Sequence, residues 1–192
     1  MALVPQLVRI ESDVKTTVDI GRNQEVLAKG MQAIFTAAGI AEPAPGLRHP
    51  GTDTSNGTRD VVKVGRNQAA LHGGLTKLLA HAGGVGQLPP LPKEENAVKN
   101  EVHLGQNQEV LRACIVQILE ALGAQGTVAP LAHPGTDTSN GTRDTVKLGR
   151  NQTVLRNGFV QVLRHYSPDA AAQSDQLSPP QRTPPPSCCI LM

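Results

Sequence analysis

The 192-residue chain is nearly balanced in charge, with 18 Lys and Arg against 16 Asp and Glu, so it lacks the basic face that draws DNA or RNA. Two Phe, one Tyr and no Trp argue against a base-stacking surface and imply an aliphatic core. No apolar run approaches a membrane span. Pro5 and Arg9 interrupt the stretch where a signal peptide would need its apolar centre, and three cysteines, two of them adjacent, make no disulfide framework. These features predict synthesis in the cytosol.

Residues 1–10 read as a short N-terminal segment. A first helix is predicted over about 11–39, carrying Asp19-Ile20-Gly21-Arg22-Asn23-Gln24-Glu25-Val26-Leu27. The pattern returns in helices predicted over about 58–82, 94–123 and 142–166, as Val64-Gly65-Arg66-Asn67-Gln68, Leu104-Gly105-Gln106-Asn107-Gln108 and Leu148-Gly149-Arg150-Asn151-Gln152. A fixed-period repeat of this kind reports how a chain is built. The glycines lie 44, 40 and 44 residues apart. A second layer of repetition is visible in His49–Asp60, which recurs letter for letter as His133–Asp144. The chain therefore reads as a duplication of a two-unit block, a helical hairpin present twice.

With each repeat's glycine set to zero, apolar residues fall at −3, −1, +5, +6, +10, +13 and +14. From +6 onward the spacing is that of one helical face. Positions −1, +6 and +13 step by seven, which places Asn23, Asn67, Asn107 and Asn151 on the same stripe. A buried Asn in such a seam fixes register and oligomer state, so these four residues are predicted to form an oligomer seam. The competing placement is the solvent face of an amphipathic helix. The segments before the glycines, such as Val61-Val62-Lys63-Val64, are β-branched and alternate, so four short β-α units are the alternative to the all-α bundle or coiled-coil assembly preferred here.

Ser12, Thr58 and Thr142 are the expected N-caps. Gly39, Gly83 and Gly123 are the expected C-terminal stops. The predicted organisation is then a first block over 11–84, a Pro-rich linker over 85–93, a second block over 94–166 and a disordered Pro-rich tail over 167–192.

Chemistry-bearing motifs are few. The six histidines are scattered without cysteine partners at zinc spacing, and no nucleotide-loop or nucleophile-elbow pattern is present. Asp53, Asp60, Asp137 and Asp144 sit too sparsely for a calcium loop. Asn-Gly-Thr at 56–58 and 140–142 reads as a turn and cap rather than a glycosylation acceptor. No catalytic residue, metal or cofactor is assigned, and a non-enzymatic role is expected.

The remaining motif is Cys189-Ile190-Leu191-Met192. Two aliphatic residues after a cysteine, then Met in last place, resemble the C-a-a-X prenylation signals of small membrane-associated proteins, and Met favours farnesyl. Ile190, Leu191 and Met192 are the recognition residues and Cys189 the acceptor. One isoprenoid holds a membrane only weakly, which makes Cys188 the candidate for a second lipid, palmitoyl. The sequence thus predicts a prenylated scaffold or adaptor on the cytoplasmic face of a membrane. It would self-associate through its helical repeats, bind protein partners and not bind nucleic acid. The alternative is a viral structural or accessory protein that uses host prenylation.

Overall fold

The computed structural model describes residues 3–7, 17–49, 58–84, 87–92, 101–124, 127–131 and 142–177. Five helices make up the regular structure: α1 (Thr17–Ala37), α2 (Thr58–His81), α3 (Glu101–Ala121), α4 (Thr142–Tyr166) and α5 (Pro168–Gln176). No strand occurs among the described residues, so the all-α expectation holds and the β-α alternative does not. The β-branched stretches before the glycines are the opening turns of helices. Val and Ile cost a helix only a few tenths of a kcal/mol each. Ile20, Val64, Leu104 and Leu148 are fully buried there, and burying each such side chain contributes about 1.5–3 kcal/mol.

The four long helices form a closed ring. α1 packs on α2 and α4, and α3 packs on α2 and α4, while the diagonal pairs make no backbone contact among the described residues. All four point the same way. Ile20, Val64, Leu104 and Leu148, one from the start of each helix, meet with Val61 in one small cluster. At the other end the rings of His81 and Tyr166 lie 6.4 Å apart. The expected hairpins are therefore replaced by parallel neighbours. The reason is connection length: the chain between helices is long enough to run back along the bundle before the next helix begins.

The described parts of those connections carry no regular secondary structure beyond the helix-end turns and lie along the grooves between adjacent helices. After α1 the chain passes Gln32, whose Oε1 accepts from Ala44 N, and reaches Asn67 at His49. After α2 it passes His72 at Pro89, and after α3 it passes Arg112 at Val128 and Ala129. Leu88, Leu91, Val128 and Leu131 are buried along the way. The fourth groove, between α4 and α1, is filled by residues 3–7, with Val4 and Leu7 buried. The N-terminal segment is thus the first part of repeat one, and the repeating unit is a groove strip followed by a helix.

Three helices end as the sequence predicts. Gly39, Gly83 and Gly123 have φ of 74°, 72° and 60°, which only glycine adopts without strain. The following residues Ile40, Gly84 and Ala124 donate back to Phe35, Leu79 and Leu119, the bonding of a Schellman cap. α2 and α4 begin at Thr58 and Thr142; Ser12 lies outside the described residues. α4 ends differently: it is followed at once by Pro168 at the start of α5. The predicted tail from residue 167 is therefore corrected over its first ten residues. A run of Ala, Ser and Gln carries little apolar signal. It is held as a helix because Ala170, Ala171 and Ser174 are buried beside the N-terminal strip, where Ser174 Oγ accepts from Val4 N.

Close helix approach depends on a small residue nine positions after each repeat's glycine: Gly30, Gly74, Cys114 and Gly158. A Cβ at Gly158 would lie 3.0 Å from Ile115 Cγ2 and 3.4 Å from Val128. One at Gly74 would meet only the Met31 side chain, at 3.2 Å or more. Met is flexible and yields, whereas Ile115 is β-branched and wedged. Gly74→Ala is therefore expected to be neutral or to gain part of the ~1 kcal/mol that Ala has over Gly in a helix. Gly158→Ala is expected to lose about 1–2 kcal/mol through overpacking. Urea melts of the two variants test the ranking, and equal effects would contradict the packing assigned to Ile115.

Candidate functional site

The repeated Asn-Gln pairs converge on one buried layer. Asn23, Asn67, Asn107 and Asn151 are all 0 % exposed, and Gln24, Gln68, Gln108 and Gln152 no more than 2 %. The solvent-face placement is excluded. Helical spacing alone puts Asn on the apolar stripe, between the aliphatics at −1 and +6. The amides separate the small cluster around Ile20 from the main core below it.

Each glutamine ties its helix to the next. Gln24 Nε2 donates to Val64 O at 3.0 Å, Gln68 Nε2 to Leu104 O at 3.0 Å, Gln108 Nε2 to Leu148 O at 3.1 Å, and Gln152 Nε2 to Ile20 O at 3.0 Å. The last bond joins repeat four to repeat one, so the ladder closes. Every accepting carbonyl belongs to the residue just before a repeat's glycine. The glycine has no Cβ, which leaves that peptide open to a neighbouring side chain. This accounts for Gly, Asn and Gln recurring together.

The asparagines act in two ways. Asn23 Nδ2 donates to Gln152 Oε1 at 3.0 Å, and Asn107 Nδ2 to Gln68 Oε1 at 2.9 Å. At α4/α1 and α2/α3 the asparagine therefore satisfies the glutamine's side-chain oxygen. At α1/α2, Asn67 turns outward instead. Its Oδ1 accepts from His49 N and its Nδ2 donates to His49 O, both at 3.0 Å. Gln24 Oε1 is left buried without a partner, and so is Gln108 Oε1 at α3/α4. The His49 ring also lies 3.2 Å from Arg66 Nη1. Burial, then the charges of Arg66, Lys63 and Arg48, lower its proton affinity below that of an ordinary histidine.

A second polar feature closes the ring at the α4/α1 groove. Arg156 is 4 % exposed and donates to Pro5 O at 2.8 Å, Val4 O at 3.3 Å and Ser174 O at 2.7 Å. Arg112, at the equivalent place in α3, donates to Ala129 O and Val128 O. Burial works against the charge of Arg156, and Asp175 offsets it. Neither this arginine nor the groove-strip pattern Val4-Pro5-Gln6-Leu7, Leu88-Pro89-Pro90-Leu91, Val128-Ala129-Pro130-Leu131 emerged from sequence reasoning. The signal was the fixed five-residue step from Gly39, Gly83 and Gly123 to Ala44, Leu88 and Val128.

The predicted oligomer seam is corrected in one respect. Asn23, Asn67, Asn107 and Asn151 do line a seam, but its partners are helices of the same chain, so the closed molecule presents none of them to a second copy. The lipidation residues Cys188 and Cys189, the recognition residues Ile190, Leu191 and Met192, and Asp53 and Asp137 lie outside the described residues. Cys114 is buried, and burial pushes its thiol up to about 12, which keeps it protonated and unreactive. Among the described residues no group of three His, Cys, Asp or Glu is placed to hold a metal, and no helix is long and apolar enough to cross a membrane. No protein-family model matches the chain, and neither a curated protein nor a solved structure resembles it at a significant level.

Proposed function

We propose that this protein is a non-catalytic scaffold module carried on a lipid-anchored tail, and that it works at the cytoplasmic face of a membrane through protein partners. The observation that carries the anchor is Cys189-Ile190-Leu191-Met192 after the proline-rich stretch from Ser178 to Pro186, a cysteine placed for prenyl transfer. The ring supports the scaffold half of the reading. Its most repeated polar residues are spent on bonds between helices, so the motif that dominates the sequence serves architecture. Cys188 is the second acyl site, since one isoprenoid gives only marginal membrane binding.

The test is metabolic labelling of full-length protein in eukaryotic cells with an isoprenoid analogue, followed by intact mass and fractionation. Wild type is expected to take the label and partition with membranes. Cys189→Ser is expected to take none and to become soluble. Cys188→Ser is expected to keep the prenyl mass and lose membrane retention several-fold. An unlabelled wild type in cells with active transferase would end the lipid-anchor reading.

A further inference from the structure

We propose that Asn67 is a two-position amide that couples the seating of the return segment at His49 to the completeness of the buried polar ladder. In the position observed, its two bonds grip the backbone of His49. In the other, it turns inward and donates to Gln24 Oε1.

Three observations carry this. Asn23 and Asn107, at the same place in their repeats, already make that inward bond to the glutamine of the preceding helix, so the geometry is one this ring accommodates. The acceptor it would reach, Gln24 Oε1, is buried and unpartnered, a costly state in a packed interior. Finally, the second unpartnered acceptor, Gln108 Oε1, occurs at the one other interface whose return segment carries the same twelve residues, His133–Asp144. The α4/α1 and α2/α3 interfaces, whose groove strips lack that sequence, each have an Asn-to-Gln bond. The outward position keeps two backbone bonds and leaves an acceptor bare. The inward position gives those up and satisfies it. Two bonds are exchanged for one that relieves a buried acceptor, so the outward position is the resting one and release of His49 is what favours the inward one.

Protonation of the His49 ring, which lies against Arg66, weakens the seated position. The ring accepts from Arg66, and the charged groups around it among the described residues are Arg66 and Lys63 of α2 and Arg48 of its own segment, all cationic. A seated His49 takes up a proton less readily than a released one. Seating is therefore at full strength above about pH 6.5 and weakens as pH falls below it.

The test is nuclear magnetic resonance on the full-length protein, following the Asn67 side-chain amide protons. In wild type at about pH 7.5 they are expected to show contacts to residue 49 and none to Gln24. In His49→Pro, which removes the N–H that Asn67 Oδ1 accepts, the contacts to residue 49 are expected to vanish and contacts to Gln24 to appear. A shift of the contacts in the same direction is expected in wild type on acidification to about pH 5, below the ordinary histidine range. The acid titration needs no variant to fold. Adding Gln24→Met should abolish the new contacts. Asn67 amide protons that keep their residue 49 contacts undiminished at about pH 5, or that leave them for solvent without meeting Gln24, overturn the proposal.

Discussion

Arg156→Leu is expected to lower the unfolding free energy by about 3–6 kcal/mol, the largest loss of any single substitution outside the aliphatic core. The guanidinium is the shared donor to three carbonyls, Val4 O, Pro5 O and Ser174 O. A buried acceptor stripped of its donor costs about 1–3 kcal/mol, and Leu supplies no replacement. The loss also unties two pieces at once, the strip in the α4/α1 groove and α5 above it. Arg112→Leu removes an equivalent pair of bonds, but Arg112 is only half-buried and water can replace it, so about 1–2 kcal/mol is expected. Urea unfolding followed by circular dichroism measures both. Similar losses for the two variants would mean that ring closure at α4/α1 is no more buried than the internal grooves. Arg156→Lys is expected to recover little, because an ammonium cannot span carbonyls that a planar fork reaches together.

Each half of the chain, residues 3–84 or 87–177, is expected to form a dimer when made alone. The interfaces a half exposes are α2/α3 and α4/α1, and their ladder bonds are the same. Gln68 to Leu104 O with Asn107 to Gln68 matches Gln152 to Ile20 O with Asn23 to Gln152. His72 to Pro89 O matches Arg156 to Pro5 O. In residues 3–84, α2 of one copy then meets α1 of the other with every ladder position filled, and the strip at Val4 covers the new groove. Sedimentation equilibrium should give twice the fragment mass with a helical spectrum. Gln68→Leu in the first half should weaken the dimer at least tenfold, since it removes an amide from both new interfaces by symmetry. A helical monomer would sink the equivalence of the two interfaces, and an unfolded chain would mean that the covalent link is needed to bring the halves together.

Much of this architecture was legible in the sequence, for reasons that particular residues make plain. The aliphatic step of seven through Ile20, Leu27 and Ile34 fixed which face of α1 is inside, and it carried Asn23 inside with it. Gly39, Gly83 and Gly123 marked helix ends because a positive φ selects glycine. Direction was not legible. Local pattern reads the same whether neighbouring helices run up-down or all up, and only the length of the return strips, with Leu88 and Val128 as their buried contacts, decides it. Ring closure was invisible for a related reason. Val4 and Leu7 lie too close to the end of the chain to show a period, and Arg156 looks like any surface arginine until its three carbonyls surround it. Helix α5 was missed because Ala170, Ala171 and Ser174 are held by tertiary contact rather than by an apolar stripe.

In a bundle of hairpins the peptide dipoles of adjacent helices oppose one another and cancel. Here all four add. Each helix places roughly half a positive charge at its first turn, so the end of the molecule where Ile20, Val64, Leu104 and Leu148 meet carries on the order of two positive charges from the backbone alone. The far end, beside His81 and Tyr166, carries the opposite. Side by side, such dipoles repel. Like charges are brought together at both ends of the ring, the Gln ladder ties neighbouring helices between those ends, and Asp19 in the first turn of α1 is of the sign that relieves the repulsion at the first. Dissolved salt screens the same repulsion, so moderate ionic strength should steady this ring, and the polarity of the molecule gives it a preferred end to turn toward any anionic surface it is brought near.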